Sequence, residues 1–78
     1  MKLHEAIESL LLEENEEMWV RPVSWVGSRR AFCLDFHTKS QLQIVPNSRG
    51  GESYMVYDVG LLISEWELVH PDDVNMGK

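Results

Sequence analysis

The chain opens on a helical period and then leaves it, and this order restricts the fold more than any other feature. Leu3, Ala6, Ile7, Leu10 and Leu11 fall at i, i+3, i+4, i+7 and i+8, one apolar stripe. Glu5, Glu8 and Glu13 lie off that stripe, and a helix is expected over residues 3–14. Its acidic face fits packing on a sheet rather than lying on a membrane, where the polar face carries Lys and Arg. Beyond a polar break at Glu13 to Glu17, the apolar residues recur mostly with strand period. Helix first and strands after, without βαβ alternation, defines an α+β class.

The strands are short. Met18 to Arg21 reads as one, with Pro22 ending it or marking a sheet edge because proline has no N–H to give. Val23 to Arg29 reads as a loop or a second short strand. In the segment from Arg30 to Phe36, Phe32, Leu34 and Phe36 alternate with Ala31, Cys33 and Asp35, and the first set is expected to face the core. A turn at His37 to Ser40 and renewed alternation from Gln41 to Val45 make residues 30–45 a hairpin. Pro46 to Gly51 is the strongest loop signal. Ser53 to Tyr57 is β-prone, Leu61 to Ser64 fits a strand or a single helical turn, and Trp66 to Val69 is the last strand, stopped by Pro71. The expectation is an N-terminal amphipathic helix on a small antiparallel sheet, or a partly open barrel, of four to six short strands. Residues 1–71 form one compact domain in this reading, and the polar residues 72–78 a frayed tail.

A chain of 78 residues has a marginal core, about 3–5 kcal/mol on general grounds. Cys33 is the only cysteine, so no disulfide within the chain supports it. Cys33 with His4, His37 and His70 shows no ligand-type spacing, so no metal is expected. Self-association is then the expected extra source of stability. The N-terminus is amphipathic and Glu-rich rather than basic then apolar, and no apolar run has the length of a membrane span. A cytoplasmic setting is expected.

The net charge is −6, which disfavours duplex nucleic acid as a partner. Between Arg21 and Arg49 the sign reverses: Arg21, Arg29, Arg30, Lys39 and Arg49 stand against Asp35 alone, five cations less one acid, or +4. A basic middle between acidic ends fits either a local anion site or a mixed solvated surface.

No catalytic signature is present, and neither an enzymatic activity nor a cofactor is expected. There is no phosphate-cradling glycine loop; Gly50-Gly51 reads as a turn. Cys33 sits mid-strand as a small hydrophobe. Glu65 and Glu67 share a face around Trp66, but nothing supplies the pocket and raised pKa that paired carboxylates need for acid–base work. Trp19 and Trp66 lie in apolar segments and read as core. Trp25 lies among Ser24, Gly27 and Ser28, near Arg21, Arg29 and Arg30. A loop aromatic beside guanidinium groups suits stacking on a base while phosphate is held. A plug at the end of a small barrel, or a residue of a subunit interface, fits equally well. The candidate ligand-binding residues are Arg21, Trp25, Gly27, Ser28, Arg29, Arg30 and Arg49.

Two motifs follow the helix: Arg21-Pro22-Val23-Ser24-Trp25-Val26-Gly27, and Leu61-Leu62-Ile63-Ser64-Glu65-Trp66-Glu67. Their order resembles the small phage proteins of the second Thoeris anti-defence family, whose motifs run close to Ala-Arg-Lys-Gly-Trp-Asn-Gly and Asp-Leu-Leu-Ala-x-Asp-Trp-Glu. Here three residues separate Arg21 from Trp25 where the family usually has two, and Val26 stands where it has Asn. The resemblance implies a non-enzymatic sponge: a homo-oligomer that binds a cyclic nucleotide-type immune signal at subunit interfaces and withholds it from the host effector. The competing class is an acidic protein-interaction or DNA-mimic module that inhibits a host protein, carried by the helix glutamates and Asp72-Asp73. A single-strand-binding barrel is a third class, weakened by the net charge.

Overall fold

The computed structural model describes residues 1–34, 42–45, 53–54 and 59–78, the pair 53–54 by its backbone alone. Helix α1 (Leu3–Leu10) is shorter than the apolar stripe. Leu12 turns extended at φ −74, ψ 137, and Glu13–Asn15 form a separate 3₁₀ turn. Asn15 Nδ2 donates to the Ser9 carbonyl at 2.9 Å, a second bond beside the one that carbonyl accepts from the Leu12 N–H at 3.2 Å. At the other end, Glu5 accepts from the Lys2 backbone N–H at 2.8 Å, one half of a capping box. The early stop leaves Leu11 and Leu12 about half exposed, so the C-terminal end of the expected stripe does not enter the core.

Strands β1 (Trp19–Pro22), β2 (Ala31–Leu34), β3 (Leu42–Val45), β4 (Ser53–Tyr54) and β5 (Trp66–Val69) form one open sheet in the order β4-β3-β2-β1-β5. Every pairing is antiparallel. β2 and β3 pair antiparallel, as the expected hairpin requires, with Phe32 opposite Ile44 and Leu34 opposite Leu42. The expected turn at residues 37–40 and loop at 46–51 lie outside the described residues, as do Asp35 and Phe36. Segment 61–64 resolves toward helix, as part of α2 (Val59–Ile63).

Pro22 closes β1 but does not mark an edge, since β1 lies between β2 and β5. Opposite Pro22, Trp66 turns its N–H and C=O outward, to the Met1 carbonyl at 2.7 Å and the Met1 nitrogen at 3.0 Å. The missing proline N–H therefore leaves no β5 acceptor open, which is why proline is tolerated in an interior strand.

The pleat divides the side chains. Val20, Phe32 and Trp66 point to the face covered by α1 and pack with Ala6 and Leu10. Trp66 is buried, and its indole N–H donates to the Leu61 carbonyl at 2.9 Å. The opposite face carries Ala31 and Val69, and it is covered too. Residues Pro71–Asn75 form helix α3, and Val74 packs on Ala31 and Val69 with no exposed surface. Part of the segment expected as a frayed tail is thus structural. Pro71 opens α3 instead of merely stopping β5, in the first-turn position where a missing N–H costs nothing. Trp19 joins this second cluster rather than the main core.

Candidate functional site

The segment after β1 carries most of the sequence-predicted site. Val23–Trp25 make a 3₁₀ turn, closed by Val26 N–H donating to the Val23 carbonyl at 3.3 Å. Ser28 N–H then donates to the Trp25 carbonyl at 3.0 Å. Gly27 has φ +84, where a side chain is strained. Arg29, with φ +61, holds the same left-handed conformation without glycine's freedom. Such a residue persists when its surroundings fix it. Gly77, two residues past α3, runs close beside it: Arg29 Nε lies 3.3 Å from where a Cβ on Gly77 would stand, and the Gly77 carbonyl 3.6 Å from where one on Gly27 would stand. The segment lies against the residues that follow the C-terminal helix.

Trp25 is half-buried. Its ring stacks on Phe32 with centroids 5.1 Å apart and planes at 28°, and Phe32 meets Trp66 at 5.4 Å. The indole is thus a platform fixed from below by the core. Ser28, Arg29 and Arg30 are exposed beside it in sequence, and the Ser28 hydroxyl accepts from the Arg30 N–H at 3.3 Å.

Arg21 is not brought to this platform. Val20 pairs with Phe32 on the α1 face, so Arg21 points to the other side of the sheet. There it is 4% exposed, and its Nε donates to Glu67 Oε1 at 2.6 Å across β1–β5. Its Nη1 is buried and has no hydrogen-bond partner among the described residues. Arg49 lies outside the described residues. Trp25, Gly27, Ser28, Arg29 and Arg30 thus share one segment by sequence adjacency, with the Arg29 side chain beside Gly77, and Arg21 lies on the opposite face of the sheet from Trp25.

Glu65 and Glu67, neighbours of Trp66, do different things. Glu67 holds Arg21. Glu65 meets Lys2 Nζ at 2.9 Å and the Met1 ammonium at 3.0 Å, and these cations, Lys2 foremost, hold its carboxyl below its ordinary range. The two carboxylates thus have different ion-pair partners.

Sequence reasoning missed a groove of about 630 Å³ between the end of α1, the following 3₁₀ turn and the ends of β1–β3. The signal for it was Leu11-Leu12, apolar residues continuing into the run Glu13 to Glu17. Cys33, half-buried, lies in its wall. Among the described residues, no group of three or more His, Cys, Asp or Glu is placed to hold a metal ion, and no helix is long and apolar enough to cross a membrane.

Fold and site define an α+β protein with an open antiparallel sheet, helices on both faces and an aromatic platform on a loop. Compared with protein-family models, curated proteins and solved structures, the chain gives no match.

Proposed function

We propose that the protein is a non-enzymatic phage anti-defence factor that binds and sequesters a cyclic nucleotide-type signalling molecule in the host cytoplasm. The observation that carries this reading is the Trp25 platform: an indole stacked on Phe32, followed within five residues by Ser28, Arg29 and Arg30 on the same segment. A base stacks on the indole, and the guanidinium groups take phosphate with charge-assisted hydrogen bonds. The order of the two tryptophan motifs supports the same reading.

The binding unit in this proposal is a homo-oligomer with its sites at subunit interfaces. Val59, Leu62 and Ile63 of α2 are 43–70% exposed. Val23, also exposed, donates its N–H at 2.9 Å to the carbonyl of Glu65, two residues after Ile63. Covering this apolar surface would stabilise a small core and enclose the Trp25 segment.

Calorimetric titration with cyclic di- and trinucleotides and cyclic ADP-ribose isomers tests the reading. Trp25→Ala is expected to weaken binding of whichever compound binds by about 1–3 kcal/mol. Trp25→Phe, which preserves stacking, is expected to recover most of that loss. Equal binding by wild type and Trp25→Ala would remove the platform from the site.

A further inference from the structure

We propose that the groove at the end of α1 is a docking site for a basic amphipathic segment of a partner protein, independent of the Trp25 platform. Its apolar lining includes Leu11, Leu12, Met18 and Trp19. Leu11 and Leu12 are 54% and 51% exposed, an adjacent pair of apolar side chains at the surface. Glu13, Glu16 and Glu17 stand at the groove, and no Lys or Arg is among the described residues that line it. None of these three carboxylates takes part in an ion pair among the described residues.

Charge complementarity selects the occupant. A segment with apolar side chains on one face and Lys or Arg flanking them would cover the leucines and neutralise the glutamates together. A helix laid in a groove presents this pattern at i, i+3, i+4 and i+7. Met18 adapts its shape to different apolar side chains, and Trp19 offers a face to a cation. The net charge of −6 favours approach of a basic partner, and Glu13, Glu16 and Glu17 make this groove, unlike the uncharged α2, a poor seat for a second acidic chain.

The test uses the full chain and a labelled synthetic peptide of Leu and Lys with Leu at those helical positions, read by fluorescence anisotropy. Two paired variants remove equal charge: Glu16→Gln with Glu17→Gln at the groove, and Glu8→Gln with Glu14→Gln away from its lining. The groove pair is expected to weaken binding about fivefold or more, and the distant pair less than about twofold. Leu11→Ser with Leu12→Ser is expected to weaken it comparably, and a Leu/Glu peptide not to bind. Equal weakening by the two glutamine pairs would reduce the effect to unspecific charge attraction and overturn the proposal. So would absence of binding, as would an oligomer that dissociates on the Glu16 and Glu17 substitutions, which would make a second copy the occupant. The peptide affinities of these variants do not depend on nucleotide binding at Trp25, so the two readings fail separately.

Discussion

At the scale of single residues, Arg21 shows how burial changes a side chain's role. In a sequence it is a cation near a loop tryptophan. In the sheet it is a nearly buried guanidinium tied to Glu67. Removing one partner of such a pair leaves a charge stranded, at about 3–5 kcal/mol for a fully buried pair. The Glu67 side chain is 35% exposed, so Glu67→Ala is expected to cost less, about 2–3 kcal/mol by urea denaturation. Replacing both, as Arg21→Met with Glu67→Leu, should cost clearly less than the single change. A single change worth under about 0.5 kcal/mol would mean that water already screens the pair. Glu65 predicts a pH effect. Its folded pKa is depressed, so its stabilisation is present above the unfolded value near 4.5 and is lost as pH falls through the lowered folded value. Urea midpoints measured downward from about pH 6 should therefore fall in the acid range for the wild type, and fall less for Glu65→Gln.

At the scale of elements, α3 makes the sharpest prediction. Val74 is its one buried residue and joins Ala31 and Val69. Val74→Ala should destabilise by about 2 kcal/mol, from lost apolar burial and the cavity left behind. A negligible change would mean that α3 does not hold that face. The sequence pattern made β2, β3 and β5 legible because each carries alternation or an apolar run bounded by turn residues. It overran α1, because periodicity cannot register that Asn15 folds back onto the Ser9 carbonyl. It missed α3 because Pro71 after a strand reads equally as a stop, and the cap position holds His70 in place of Ser, Thr, Asp or Asn, its Nδ1 accepting from the Asp72 N–H at 3.1 Å. One valine in a polar tail is also too little to show periodicity. The site was legible in composition but not in facing. Which side of β1 Arg21 takes depends on register with β5, a long-range pairing that no local spacing reveals.

At the scale of the whole molecule, two covered sheet faces still leave apolar side chains outside, on α2 and at the end of α1. A chain this small gains from covering them. Light scattering at micromolar concentration is expected to give a mass above the 9.0 kDa of one chain, and Leu62→Asp with Ile63→Asp to return it to the monomer. A monomer in the wild type would leave each Trp25 platform to bind alone. The central claim, binding without conversion, is tested most directly by depletion. The protein in excess is incubated with the panel of cyclic nucleotides and cyclic ADP-ribose isomers, the free pool is measured, and the protein is then denatured by heat and the released compound chromatographed. Mass action requires that a sequestering protein lower the free concentration of its ligand in proportion to the sites added. The account predicts depletion of at least one compound and its full return, chemically intact, after heating. Recovery of a cleaved product, or no depletion of any compound, would contradict it.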